Sequence, residues 1–432
     1  MTPHLTGRGP VLSAQALTAL AALLACGAAQ ADEPNPWYIG AAQTFSYESN
    51  LYRVGSSPGG QEQTLPPGTN KSDLISTTAL IGGIDQAFGR QRAYGSINAG
   101  QSVYRENSKL NTPIYALNLA LDWSTIERFQ GTLSFGANQS QARYDTVNTG
   151  GVVATRQNIA NSRNIEAIGR MGLVTKLNVE AKFGYNEIRY SAADYQHNNY
   201  QQQVSSLGVN YRPSGLLTLG SALRQTRGDY PNGLLIGGQH GVDRFTRNDL
   251  DFTATWEPSQ VSDVSGRISA TRTHYQHDPL RDSKAPTGYL AWNWRPTGKL
   301  RLRTEMRRDF GQYGSVANFG AIVGTGVVDY NRTTTTLHLN ADQDISAKVA
   351  LNASIDQAHR TLTNRYLVPQ GTLATQSGSD NTLTFTLGAR WTPSRNTLVG
   401  CNLSQDRRRT DTTLSTNLGA AILGCFGQIT LR

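Results

Sequence analysis

His274, His277 and His338 lie near serines and carboxylates in the sequence, the residue types from which a nucleophile, a base and an orienting acid are assembled. Among seven histidines and many Ser and Asp residues such proximity arises cheaply, and solvated strand and loop histidines explain it equally well. The chain has no G-x-S-x-G elbow, no Walker phosphate loop, no H-E-x-x-H pair and no metal-spaced cysteine cluster. No catalytic residue, metal ligand or cofactor is therefore assigned, and a hydrolase stays as a rival that needs a Ser or Asp and a His converging in space.

Basic residues show the more regular spacing. Arg301, Arg303 and Arg307 alternate with apolar neighbours, and Arg224, Arg267, Arg390 and Lys182 sit in segments of the same pattern. Cations repeated along one wall of a channel attract anions, provided that each site binds weakly enough to release them. Asp122, Glu180, Asp249, Asp251, Glu305, Asp342 and Asp356 fall on the same predicted face, so a charge-balanced, salt-bridged wall is the competing arrangement. Arg407, Arg408 and Arg409 cluster near a strand end, where they face either the phosphates of lipopolysaccharide or plain solvent. The formal net charge of +9 does not mark a nucleic-acid surface, because the basic residues alternate with apolar ones and form no continuous patch.

The element that must carry these residues is a strand. Leu300, Leu302, Thr304 and Met306 form one face, and Arg301, Arg303, Glu305 and Arg307 the other. Leu383, Phe385, Leu387, Ala389 and Trp391 repeat the period of two, as do Tyr115 to Trp123, Val179 to Tyr185, Leu207 to Tyr211, Leu250 to Trp256 and Val349 to Ile355. A helix would spread these residues around its circumference. No segment beyond the N-terminal region has the eighteen or so consecutive apolar residues of a membrane-spanning helix. A closed transmembrane antiparallel β-barrel, in an all-β chain, needs apolar side chains only at alternate positions, which agrees with a hydrophobic content of 38%.

Connections alternate in length. Short turns are expected at Phe88 to Arg92, Val174 to Lys176, Arg212 to Gly215, Glu257 to Ser262, Arg295 to Lys299, Asp344 to Ala347 and Thr392 to Asn396. Long polar loops are expected at Gly55 to Lys71, Asn148 to Gln157, Pro231 to Gly241, His277 to Lys284, Tyr313 to Val328 and Asn364 to Ser379. Counting hairpins gives about eighteen strands. Trp123, Tyr211, Trp256, Trp292, Trp294 and Trp391 fall near the short turns, where interfacial rings belong. Residues 1–31 read as a signal peptide, with Ala29-Gln30-Ala31 as its cleavage site, and residues 32–432 as one outer-membrane barrel without a plug. Leu23-Leu24-Ala25-Cys26 also resembles a lipobox, which would make Cys26 the lipidated N-terminus instead. Cys401 and Cys425 lie about equally far from a turn near Thr413, so antiparallel pairing brings them opposite each other as disulfide candidates; two free thiols are the alternative.

Tyr47-Glu48-Ser49-Asn50-Leu51-Tyr52-Arg53, after the opening strand, and the tail Gly424-Cys425-Phe426-Gly427-Gln428-Ile429-Thr430-Leu431-Arg432 resemble an EpsL-like exopolysaccharide-associated outer-membrane family. That family, found with exosortase/PEP-CTERM systems, falls within a broader β-barrel porin group. The resemblance covers both ends and the strand plan, with little specific identity between. It implies a role in exopolysaccharide biosynthesis or export, with exopolysaccharide and periplasmic polysaccharide-export components as partners, and supplies no catalytic residues. The tail ends in Leu431-Arg432 instead of an aromatic residue, a departure from the usual signal to the barrel-assembly machinery. The sequence thus leads to the expectation of a passive outer-membrane conduit for polymer. A general diffusion porin shares every periodicity, and an adhesive barrel with a packed interior is a further rival.

Overall fold

The computed structural model describes residues 35–126, 128–144, 152–172, 176–236, 239–277, 282–310, 318–319, 322–323, 332–367 and 373–431. The expected signal peptide with Cys26 lies outside them, as does the expected loop Tyr313 to Val328 apart from two short strands.

Eighteen antiparallel strands form one sheet that closes on itself. In chain order they are β1 (Trp37–Glu48), β2 (Asp73–Phe88), β3 (Gln91–Tyr104), β4 (Thr112–Ser124), β5 (Phe129–Gln141), β6 (Ile159–Met171), β7 (Leu177–Tyr190), β8 (Tyr200–Ser214), β9 (Leu217–Ile236), β10 (Gln239–Ser259), β11 (Ser262–Tyr275), β12 (Ser283–Trp294) and β13 (Leu300–Phe310). After the separate two-residue pair β14 (Asn318–Phe319) and β15 (Ile322–Val323) come β16 (Arg332–Asp344), β17 (Val349–Leu367), β18 (Leu373–Ser394), β19 (Thr397–Thr410) and β20 (Leu418–Leu431). Each barrel strand pairs with its neighbour in the chain, and β1 pairs with β20 from Ile39↔Leu431 to Glu48↔Ile422. Closure leaves no edge strand, so every ladder can satisfy its backbone groups without water.

Alternation sorts the side chains. On β13, Leu302, Thr304 and Met306 point outward while Arg301, Arg303, Glu305 and Arg307 point to the interior. Outward residues include Leu80, Leu223 and Ile268, the last 71% exposed, an arrangement suited to lipid and unfavourable in water. The rings of Tyr211, Trp256, Trp292, Trp294 and Trp391 stand outward near the short-turn ends, and Trp292 Nε1 donates to Ser262 Oγ at 2.9 Å. Small inward residues make room for larger neighbours: a Cβ on Gly400 would lie 2.6 Å from Phe426 Cε1, so the phenyl ring of β20 covers the bare backbone of β19.

The turns at 89–90, 215–216, 260–261, 295–299, 345–348 and 395–396 sit on one rim. Gly89 has φ 60, the conformation that a two-residue hairpin turn requires at its first position. Two expected loops are corrected. Pro231 to Gly241 and Asn364 to Ser379 are largely strand, because β9 and β10, and β17 and β18, continue their ladders past the apolar belt. Pro231 is tolerated there because the β9–β10 register shifts between Gly241 and Asp243, leaving it at an irregularity where no ladder donor is needed. Arg212 to Ser214, expected as turn, belongs to β8.

Candidate functional site

All seven basic residues singled out in the sequence sit on inward-facing strand positions, but they do not form a free cationic track. Arg301 pairs with Asp344 through two contacts, at 2.8 and 3.2 Å. Glu305 receives Arg303 at 2.5 Å and Arg307 at 2.7 Å. Arg224 bonds Asp251 at 2.8 Å and lies 3.3 Å from Asp249. Lys182 pairs with Glu166. Among the described residues Arg267 and Arg390 make no ion pair. Arg267 instead lies 5.6 Å from the centroid of the Tyr289 ring, which Arg307 also approaches at 5.6 Å. The lumen is thus a charge-balanced wall with one aromatic ring between two guanidiniums.

Exposure separates two kinds of pair along this wall. Arg301, Arg303, Arg307 and Lys182 keep roughly a third to a half of their side-chain surface accessible, so their ion pairs add little to stability and chiefly shape the local field. Arg247 and Asp249 are buried, at 4% and 0% side-chain exposure, and are joined at 3.0 Å. Thr271 donates to the same carboxylate at 2.5 Å, and Arg247 reaches across to Asp309 at 3.1 Å, so the desolvated charges are compensated by several bonds. His338 bonds Asp356 at 2.5 Å inside the barrel, whereas His274 bonds Asp282 on the outside. His274 and His338, each near serines and carboxylates in the sequence, are therefore placed on opposite faces of the wall.

The feature that sequence reasoning missed is a latch at the long-loop end. Arg53 follows β1, and its guanidinium reaches Asp406 on the inner face of β19 at 2.6 Å. Arg143, just beyond β5, binds the same carboxylate. Because β20, β1, β2, β3 and β4 separate β19 from β5 on the wall, these contacts require the two loops to turn inward over the mouth. Thr384 donates to the other oxygen of Asp406 at 2.8 Å, which fixes the receiver. Arg53 has φ 54, a left-handed conformation costly for a side chain with a Cβ and here imposed by its surroundings.

The rest of the latch holds that turn in place. Asn50 donates to the carbonyls of Val54 and Gly419 and accepts from the Val54 N–H, tying the loop to itself and to β20. Tyr52 donates to Asn107 Oδ1 at 2.9 Å, and Asn107 is held by Asp73. The Tyr52 ring meets Tyr144 at 5.0 Å between centroids, in a cluster with Leu51, Tyr104, Leu110 and Val153. Burial, reinforced by the charge of Asp73, pushes the Tyr52 hydroxyl up to about 12. Thr64 and Val152 form a parallel bridge between the two loops. Leu51, Tyr52, Tyr144 and Val153 are the signal that could have revealed this, since a solvated loop has no use for such side chains.

A second aromatic group lines the rim at the long-loop ends of β8 to β11. Tyr200 stacks on Tyr230 at 5.6 Å, and Phe245 and Tyr275 continue the row. Near the closing seam Cys401 and Cys425 are register partners joined by a disulfide, with Cα atoms 4.0 Å apart, and both face outward. The three arginines of the 407–409 cluster divide: Arg408 points inward and donates to the Thr416 carbonyl at 2.8 Å, while Arg407 and Arg409 stand outside.

No protein family and no curated protein matches the sequence. Among solved structures, the chain is similar to OccK2 (OpdF) of Pseudomonas aeruginosa, with TM-score 0.47 and 11% identity over 91% of this chain and 98% of that one. It is also similar to OccAB3 of Acinetobacter baumannii, with TM-score 0.45 and 12% identity over 91% and 99%. The copper transporter OprC gives TM-score 0.41 and 13% identity over 88% of this chain and 64% of that one. The chain therefore spans less than two thirds of the copper transporter's length.

Proposed function

We propose that the chain is an outer-membrane channel admitting small polar solutes, its short turns in the periplasm and its latch at the cell exterior. One observation carries this reading: at the level where Leu302 and Met306 face lipid, the inward side chains of Arg301, Arg303 and Arg307 remain 36 to 46% exposed. Charged groups accessible at membrane depth belong to a wet interior, and a barrel of eighteen strands is wide enough to leave an aqueous channel. A packed adhesive barrel would bury them. The latch narrows the mouth, which suits small solutes better than a polymer, and the balanced wall predicts weak charge selectivity.

A second reading is a conduit for exopolysaccharide, working with periplasmic export components. It rests on the resemblance of Tyr47 to Arg53 and of Gly424 to Arg432 to the EpsL-like family. In either case the barrel-assembly machinery inserts the chain.

The test is conductance in planar bilayers, with swelling of proteoliposomes in sugars of increasing size. Ohmic conductance with a sharp size limit at small sugars supports the solute channel. Absence of conductance removes it. Loss of surface polymer with periplasmic accumulation in a deletion strain selects the conduit.

A further inference from the structure

We propose that an outward groove bounded by Lys71, Arg407 and Arg409 seats the phosphates of an outer-leaflet glycolipid headgroup. This rests on the barrel lying in the outer membrane and not on what passes through its lumen.

The groove is formed where β19 and β20 meet the loop after β1, and its volume is 870 Å³. Its position follows from the pleat. Val399 and Leu403 of β19 face lipid, as do Leu423 of β20 and Phe45 of β1. Continuing along the same face of β19 come Gln405, Arg407 and Arg409, so Arg407 stands about 13 Å along the strand beyond Leu403, at roughly 3.3 Å per residue. With the strand tilt of a barrel, that places the cations at headgroup depth, just above the hydrocarbon.

The groove also has the wrong charge for an empty surface. Arg407 and Arg409 share one face two residues apart, and Lys71 joins them from the loop just before β2. Among the described residues none of the three side chains makes an ion pair or a hydrogen bond. One exposed carboxylate, Glu62, lines the groove; Asp406, at its inner edge, is already taken by Arg53 and Arg143. Elsewhere on the outer rim Arg189 and Arg244 are neutralised by Glu187 and Asp229, while Arg272 and Lys284, register partners on β11 and β12, also make no ion pair among the described residues. Adjacent unneutralised cations repel one another, and a phosphate between them removes the repulsion while accepting charge-assisted bonds from both guanidiniums. The floor is permissive: Gly419, directly opposite Arg407, is exposed, and a Cβ there would meet nothing within 4 Å. A bulky sugar phosphate therefore finds walls of positive charge and no side chain in its way.

The experiment uses the full chain in phosphatidylcholine nanodiscs carrying a trace of a bis-phosphorylated glycolipid or of the same glycolipid without phosphates. Retained lipid is counted by native mass spectrometry. Wild type is expected to retain the phosphorylated form roughly tenfold over the stripped form, the order expected for charge-assisted bonds to phosphate. The K71Q/R407Q/R409Q variant is expected to lose that preference while its conductance is unchanged. Equal retention of both lipids by wild type, an undiminished preference in the variant, or displacement of the glycolipid by a carboxylated polysaccharide overturns the site. If the triple variant does not assemble, R409Q alone, whose side chain breaks no described contact, must still lower the preference severalfold, and an unchanged preference overturns the site equally.

Discussion

Arg53 and Asp406 are separated by 353 residues and joined by a 2.6 Å ion pair inside the mouth of the barrel. The pair unites the first loop with the penultimate strand, and Arg143 brings a third segment to the same carboxylate. With side chains only 7% and 10% exposed, removal of one partner strands the other charge away from water.

Asp406→Asn leaves two guanidiniums facing an uncharged amide. Local opening of the latch becomes easier by roughly 3 kcal/mol, the usual cost of orphaning a buried charge. Single-channel conductance should rise, and the segment 49–72 should become sensitive to added protease. Wild-type conductance together with wild-type cleavage would show that the pair does not hold the loop.

Tyr52 gives the latch a dependence on alkaline pH. Its folded pKa, about 12, lies above the ordinary value of 10.0, so the folded latch holds the phenolic proton more tightly than the open one. The stabilisation is complete below pH 10 and is lost as pH rises from about 10 to about 12, amounting to roughly 3 kcal/mol. Protease sensitivity of the loop should climb through that window in wild type and climb less in Tyr52→Phe, which keeps the ring and removes one titration, while Tyr104 and Tyr144, also pushed up by burial in the same cluster, keep theirs.

Glu305→Gln releases Arg303 and Arg307 together. One unit charge about 6 Å from a permeating ion in water is worth about 0.7 kcal/mol, or roughly a threefold change in the anion-to-cation permeability ratio. Reversal potentials in a potassium chloride gradient measure it directly. The ratio should rise toward anions, and an unchanged reversal potential would place Glu305 outside the permeation path.

The Cys401–Cys425 bridge spans 24 residues of chain, and its removal should cost about 3 kcal/mol through the unfolded state. Since both sulfurs face lipid, C401S/C425S should unfold at lower urea in micelles and conduct as wild type does. A change in conductance without a change in stability would contradict that placement.

Much of the fold was legible because alternation is a local property. The split of β13 into Leu302 and Met306 against Arg301, Arg303 and Arg307 requires no knowledge of any other strand, only that successive side chains leave a pleated backbone on opposite sides. Strand ends were less legible: around Pro231 and Asn364, turn-forming residues occupy hairpins whose ladders continue beyond the bilayer, because backbone pairing persists in water once the register is set.

The sequence by itself determined the strands, their two faces, the number of hairpins and hence a barrel, since these follow from period two and short turns. Only the tertiary structure decided which charges meet. Glu305 lies within two residues of both its arginines, yet Arg224 takes its carboxylates from the next strand, Arg247 reaches Asp309 three strands away, and Arg53 crosses the closing seam to Asp406. Closure of the sheet brings such groups together, and spacing along one strand carries no record of the strands across the lumen.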